Sequence, residues 1–148
     1  MLPRRTQELA MKLNPYLNFD GTCQDAMETY AKILGGEILA LMRFDEMPGD
    51  QDFPPEMAKK IAHARLKIGE SILMASDAQG PYAPMQGTSI TLNIPEPEKA
   101  EAAYNALLQG GNSLMPLEET FWAHKFGMLT DRFGTRWMVN CEKPGDWS

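Results

Sequence analysis

The feature that most constrains this chain is an internal repeat. An alanine, a tyrosine and a leucine stand four residues apart in one helical segment, and the same three residues recur at the same spacing in a later segment. The two sets are Ala26, Tyr30 and Leu34, and Ala100, Tyr104 and Leu108. Two dipeptides recur in order around them, Leu17-Asn18 as Leu92-Asn93 and Ala62-His63 as Ala123-His124. The repeat predicts a duplicated module.

Both halves contain the same order of elements. In the first half, alternation and apolar periodicity predict strands at 15–19, 37–44, 61–68 and 71–76 and a helix at about 24–34. The second half repeats this order with strands at 89–94, 113–121, 123–130 and 135–141 and a helix within 96–111. Residues 45–60 are rich in Pro, Asp and Gly and are predicted to be irregular. The predicted fold class is α+β, with two βαβββ modules.

The repeat also sets the expected domain organisation. We expect one domain over residues 14–142, with module one at about 14–78 and module two at about 87–142, an N-terminal extension over 1–13 and a tail over 143–148. Two modules that each cover one sheet face with a helix can bury the other faces only against each other. That packing leaves a concave cavity between the modules, the usual place for a small ligand.

Net charge and cysteine content restrict the classes of binding partner and the cellular compartment that we expect. The net charge of -6 argues against nucleic acid or an anionic membrane as the main partner. No apolar run approaches the roughly 20 residues that span a bilayer. Cys23 and Cys141 have no metal-ligand spacing, so we expect two buried free thiols in a reducing cytoplasm.

The C-terminal half carries a more specific pattern. Residues 119–127 (ETFWAHKFG) are followed by 130–134 (TDRFG) and 136–138 (RWM), and residues 15–17, 62–64 and 74–77 add to it. This pattern resembles the PhnB-like, or 3-demethylubiquinone methyltransferase-like, branch of the vicinal-oxygen-chelate (glyoxalase/bleomycin-resistance/dioxygenase) superfamily. The match covers about residue 14 to residue 142. It implies paired βαβββ modules in a glyoxalase-like domain, a pocket inside each module pair and frequent homodimers, without a settled reaction.

The resemblance also implies where a metal would bind. In the metal enzymes of this superfamily, His, Gln or Glu ligands lie on the first and last strands of each module and point into the cavity. Alternation aims side chains of the first and last strands there, and counting from the turn glycines puts Leu73 and Met138 at the last-strand ligand positions. A thioether or an isobutyl group does not bind a hard divalent ion. We therefore predict no metal and a pocket lined by Tyr16, Asn18, Leu73, Thr91, Asn93, Met138 and Asn140.

One histidine of the second module has an aromatic setting. His124 follows Trp122 closely and precedes Phe126, an aromatic setting that suits a planar ligand or a proton transfer. We add Trp122 and His124 to the predicted ligand-binding residues and take His124 as the candidate catalytic residue; the alternative is a structural histidine in a sheet or a dimer interface. No glycine fingerprint lies between a strand and a helix, so the methyltransferase label gains no support and no cofactor is predicted.

Three functions remain open. The first is a metal-free small-molecule-binding protein of the bleomycin-resistance type. The second is a lyase or isomerase-type enzyme on a small organic substrate, with His124 or a pocket carboxylate as proton carrier and a divalent metal at a non-standard site as an option. The third is a regulatory protein whose pocket is vestigial. Free sheet edges and the resemblance predict a homodimer, formed by side-by-side docking or by exchange of modules.

Overall fold

The computed structural model describes residues 10–49 and 52–145 of the chain. Module one contains β1 (Tyr16–Phe19), α1 (Cys23–Leu34), β2 (Glu37–Arg43), a 3-10 helix (Phe44–Glu46), α2 (Pro55–Ala58), β3 (Ile61–Ile68) and β4 (Ser71–Asp77). Module two contains β5 (Ile90–Asn93), α3 (Pro97–Leu108), β6 (Asn112–Glu118), β7 (Ala123–Thr130) and β8 (Arg136–Glu142). None of the helices in these ranges is long and apolar enough to cross a membrane.

Each module forms its own four-stranded sheet. The strand orders are β1-β4-β3-β2 and β5-β8-β7-β6. In both sheets the first strand pairs in parallel with the last, and the other pairs are antiparallel. Because the strand order and the pairing repeat strand for strand, the predicted βαβββ duplication and the α+β fold class are confirmed.

Helix α1 forms where the apolar stripe predicts it. Cys23, Ala26, Met27 and Tyr30 make up its buried face. Thr22 stands at the N-cap position, but its side chain makes no capping hydrogen bond. The buried carboxylate of Asp77 on β4 accepts the first helical amide instead, with 3.0 Å between Cys23 N and Asp77 Oδ1. The start of the helix is therefore fixed by the last strand of its own module.

Two boundaries in the sequence prediction are wrong. The segment 45–60 is not wholly irregular, because the 3-10 helix enters it and Pro55 begins the short helix α2, a position where proline lacks only an amide that would be unbonded. The strand predicted over 113–121 ends at Glu118. Beyond it, Thr120 N donates to Ala123 O and Ala123 N donates to the Thr120 hydroxyl, both at 3.0 Å. That turn replaces the last part of the predicted strand.

One buried carboxylate joins the modules. Asp131, in the turn between β7 and β8, is 5 % exposed, and its Oδ1 accepts the backbone amides of Phe133 and Thr135 at 2.9 Å each. Its Oδ2 accepts the Trp137 indole N–H at 2.8 Å and the hydroxyl of Tyr30 from α1 of the other module. Asp131 therefore stabilises its own turn and also anchors the two modules to each other.

The core is continuous between the two modules. Buried residues of α1 and α3 belong to one apolar cluster with the helix-side residues of both sheets. The Tyr30 ring makes edge contacts with Phe133 and Trp137, at centroid distances of 5.9 and 5.1 Å. The modules therefore pack through their helices and the β7–β8 turn.

The opposite faces of the two sheets are consequently left open. We call these the open faces, the sides that α1 and α3 do not cover. Tyr16 on β1 is 46 % exposed, and Asn18, Thr91 and Asn93 are also exposed. The expected packing of these faces against each other does not occur within one chain. Residues 1–9 and 146–148 lie outside the described residues, so the predicted extension and tail stay predictions.

Tyr30→Phe tests the anchor. The substitution keeps the ring contacts and removes both the hydrogen bond to the Asp131 carboxylate and the 2.9 Å contact with the Thr135 hydroxyl, so we expect the free energy of unfolding to fall by about 1–3 kcal/mol. Urea denaturation followed by circular dichroism measures it. Tyr82→Phe is the matched control, because Tyr82 is a half-buried tyrosine in the segment that links β4 to β5. It should change the free energy of unfolding by less than about 0.5 kcal/mol. Equal effects of the two substitutions would contradict the assigned anchor.

Candidate ligand-binding faces

The module-one face is built from rows of side chains that cross the sheet. Strand pairing places Ala40 opposite Arg65, Arg65 opposite Met74, and Met74 opposite Tyr16. A second row contains Met42 beside His63 and Ser76 beside Asn18. The Tyr16 and His63 rings are stacked with centroids 6.2 Å apart, and Ser76 Oγ donates to Asn18 Oδ1 at 3.4 Å. These two rows carry the basic side chains of Arg65 and His63 beside the thioethers of Met42 and Met74.

Leu73 does not point to this face, so its predicted orientation is wrong. It pairs with Leu66, is 4 % exposed and belongs to the core under α1. Met74 occupies the last-strand position opposite Tyr16 instead. The count from the turn glycine failed because the hairpins differ. Only two residues separate the pair Ile68 and Ser71, whereas five separate Thr130 and Arg136.

The module-two face carries a chain of hydrogen-bonded amides. Trp122 Nε1 donates to Asn140 Oδ1 at 3.2 Å, and Asn140 Nδ2 donates to Asn93 Oδ1 at 3.0 Å. Pairing sets Thr91 opposite Met138, with 3.6 Å between the Thr91 hydroxyl and the Met138 sulfur. Five of the predicted residues are therefore brought together here: Thr91, Asn93, Trp122, Met138 and Asn140.

An aromatic group borders these amides. Phe126 pairs in register with Asn140, and its ring meets the edge of Trp122 at a centroid distance of 5.2 Å. Apolar rings beside amide donors and acceptors suit a flat organic molecule with polar substituents. Sequence alternation on β7 could have identified Phe126, which the prediction named only as a neighbour of His124.

His124 lies at the edge of this face. It is exposed and lines a cavity of about 530 Å³ together with Asn93, Asn140, Glu142 and Lys143. A second cavity, of about 770 Å³, is lined by residues of both modules, among them Leu73, Thr91 and Asn93. Neither cavity includes Tyr16, Asn18 or Met138. The predicted lining is therefore divided in one chain, because Leu73 shares the second cavity with Thr91 and Asn93 while Tyr16, Asn18 and Met138 line neither cavity. Ligand binding by these residues stays a prediction.

The residues at the superfamily's metal positions do not fit a divalent metal. The open faces present Tyr16, Met74, Thr91 and Met138 there, which supply a phenol, two thioethers and a hydroxyl in place of imidazole or carboxylate. Among residues 10–49 and 52–145, no three His, Cys, Asp or Glu side chains come together as a ligand set. No chemical step is assigned to a metal here.

The comparisons with known proteins cover nearly the whole chain. Residues 11–140 match the family model described as 3-demethylubiquinone-9 3-methyltransferase. The chain is 37 % identical to protein YjdN of Escherichia coli K12, over 90 % of this chain and 97 % of that protein. It is 46 % identical to PA1353 of Pseudomonas aeruginosa, with a TM-score of 0.83 over 90 % and 98 % of the chains. The PhnB protein of Bacillus cereus is 26 % identical, with a TM-score of 0.71 over 88 % and 99 %.

The nucleophiles and acids near these faces are held in structural roles. Both cysteines are buried free thiols, as predicted. Burial raises the pKa of the Cys23 thiol to about 12 and also raises the pKa of Cys141. Outside the sheets, the exposed Glu119 forms an ion pair with Lys143 at 2.8 Å, which lowers the pKa of that carboxyl. These groups are poor candidates for a nucleophile or a general acid at neutral pH.

The shifted pKa of Cys23 makes two measurable predictions. Near pH 8 the buried Cys23 thiol is almost wholly protonated, so iodoacetamide should label it only as fast as the protein unfolds. Unfolded chains ionise this thiol from about pH 9, the ordinary value, whereas the folded chain resists until about pH 12. Stability should therefore fall as pH rises through that window. Cys23→Ala should flatten the fall, and rapid labelling of native Cys23, mapped by mass spectrometry, would contradict the assignment.

Proposed function

The chain belongs to the family described as 3-demethylubiquinone-9 3-methyltransferase, the PhnB-like branch of the vicinal-oxygen-chelate superfamily, and from that premise we propose that it binds a small organic molecule in the cytoplasm, without the superfamily's usual metal. The observation that carries this proposal is the module-two face, where aromatic rings border hydrogen-bonded amides. The buried free thiols support the location, because a reducing compartment keeps them in that state.

The family description names a methyl transfer, and the architecture does not support that activity. Doubly wound parallel sheets bind dinucleotides and related cofactors where a glycine-rich turn joins a strand to a helix. Here each sheet contains one parallel pair, and Gly35 and Gly110 follow helices rather than precede them. A ligand-binding role without a nucleotide-type cofactor agrees better with these sheets.

Trp122 provides a direct test of binding at the module-two face. It is half-buried there, whereas Trp137 is 1 % exposed under α3. We expect a bound ligand to change tryptophan emission in the wild type, and we expect this change to disappear in Trp122→Phe and to persist in Trp137→Phe. The probes are small aromatic acids, amides and alcohols. In a parallel experiment, protein without an affinity tag is titrated with Zn²⁺, Ni²⁺ and Mn²⁺. One tightly bound metal ion per chain would contradict the proposal.

We propose further that the protein is a homodimer in which the open face of module one in one copy closes against that of module two in another. Three features support module exchange over side-by-side docking. The helix-covered faces are already packed together within one chain, the open faces are left uncovered, and the edge strands carry exposed apolar side chains. These are Leu39 and Met42 on β2 and Leu114 and Met115 on β6, each between 38 and 48 % exposed.

The dimer is tested by light scattering. We expect twice the chain mass of 16.6 kDa, and we expect Met115→Lys to shift the protein towards the monomer, because a charge on an apolar edge opposes burial. Ala102→Lys, on the exposed side of α3, adds the same single charge away from the edge and is the control. A monomer mass for the wild type that dilution does not change would contradict the dimer.

A second candidate function rests on His124. Its imidazole lines the same cavity as Asn93 and Asn140, so a substrate held by these amides would lie near a side chain that can act as a general acid or base. This arrangement favours a lyase or isomerase-type reaction. His124→Gln separates the two functions, since it should leave binding measured through Trp122 intact and abolish turnover of any ligand that the wild type converts.

A further inference from the structure

The arginines divide according to the surface on which they lie. Away from the open faces, Arg43 is within 3.4 Å of Asp45 and 3.2 Å of Glu46. Arg132 donates to Thr29, approaches Asp25 at 3.8 Å and covers the Phe133 ring. These arginines have the partners expected on a protein that carries 20 acidic residues against 14 basic ones.

The two arginines of the open faces differ. Arg65 lies at the centre of the module-one face, between Ala40 and Met74. Arg136 lies opposite Thr130, and since the next residue, Trp137, points under the helix, alternation directs Arg136 to the module-two face. Among the described carboxylates, none is within 4.0 Å of either guanidinium. The Nε atom of Arg136 is buried without a hydrogen-bond partner.

The surroundings of Arg65 add further donors. His63 precedes it by two residues on the same strand and stacks on Tyr16, and the Ser76 hydroxyl and the Asn18 amide complete the neighbouring row. The carboxylate of this face, Glu37, lies at its far end opposite Lys67. A half-buried guanidinium among donors, with no anion beside it, is the arrangement that binds an oxyanion.

Resting on the proposed function and on the proposed dimer, in which the module-one face of one copy closes against the module-two face of the other, we infer that the ligand is a small organic molecule with an oxyanion group, a carboxylate or a phosphonate, and that Arg65 with His63 from one copy and Arg136 from the other recognise that group. The guanidinium fork matches two oxygens of either anion. The organic part then lies against the rings and thioethers of the open faces, Tyr16 and Met74 on module one and Phe126 and Met138 on module two. Arg65 and Arg136 are thereby assigned as specificity-determining residues.

The experiment compares probes of one shape and different charge. Benzoate and phenylphosphonate carry the oxyanion, and benzamide is the neutral counterpart. We expect calorimetric titration at low salt to show binding of at least one anion and about tenfold to hundredfold weaker binding of benzamide. Added NaCl should weaken binding of the anions but not of benzamide, because salt screens the attraction between a guanidinium and an oxyanion. Whichever of the two anions binds more tightly identifies the group that the site prefers.

Substitutions assign the effect to the open faces. Arg65→Gln and Arg136→Gln should each weaken binding of the anion by about tenfold or more and leave binding of benzamide unchanged. Arg65→Lys keeps the positive charge but lacks the planar guanidinium, so its affinity for the anion should lie between those of the wild type and Arg65→Gln. Arg43→Gln removes the same charge outside these faces and should have no effect. Both substituted residues lack side-chain partners among the described residues, so loss of folding is not expected, and thermal unfolding checks it.

The outcomes separate this inference from the proposed function. Binding of benzamide as tight as that of the anions, with the Trp122 emission change retained, would overturn the oxyanion inference and leave the small-molecule function standing. Anion binding that Arg65→Gln and Arg136→Gln do not alter would also overturn it, as would the absence of any binding by both anions. Anion binding that depends on Arg65 and Arg136 but leaves Trp122 emission unchanged would support the inference and count against the module-two face as the main contact.

Discussion

The architecture depends on the buried carboxylate of Asp131. Four donors meet it, two backbone amides of its own turn, the Trp137 indole and the Tyr30 hydroxyl of the other module. A buried carboxylate is costly unless its oxygens are bonded, so the turn, the strand that follows it and α1 must keep these positions together. Burial and the nearby carboxylate raise the pKa of Tyr30, which therefore remains a donor wherever the protein is folded.

That anchor determines which surfaces remain for a ligand. With α1 tied to the β7–β8 turn, the helix-covered faces share one core and the open faces point away from it. The side chains that could contact a ligand therefore lie mainly on the open faces, which no other part of the same chain covers. Amides and rings lie on one open face, and unpaired basic groups lie on both. Binding and assembly are expected to be linked, since a second copy that covers an open face also removes water from its arginine.

Much of the fold was accessible from the sequence because the repeat and the period-two alternation are local signals. They located each strand to within a few residues and gave the correct faces for Tyr16, Thr91, Asn93, Met138 and Asn140. Leu73 was misassigned because the pairing register depends on hairpin length, and the two hairpins differ by three residues. The packing of the two modules against each other could not be predicted from the sequence either. It depends on the hydrogen bond between Tyr30 and Asp131, which are 101 residues apart, and such a contact produces no local sequence pattern.

The long separation between Tyr30 and Asp131 also has a consequence for the order of events during synthesis. The sheet of module one is complete once β4 has left the ribosome, because β4 pairs with β1. The outer side of α1 must then wait for the β7–β8 turn, which emerges over 50 residues later. In that interval an apolar helix surface and the Tyr30 hydroxyl lack their partners, and such intermediates are prone to aggregate. The first module, with its sheet complete and the β7–β8 turn still absent, is thus the stage of synthesis at which this surface is exposed.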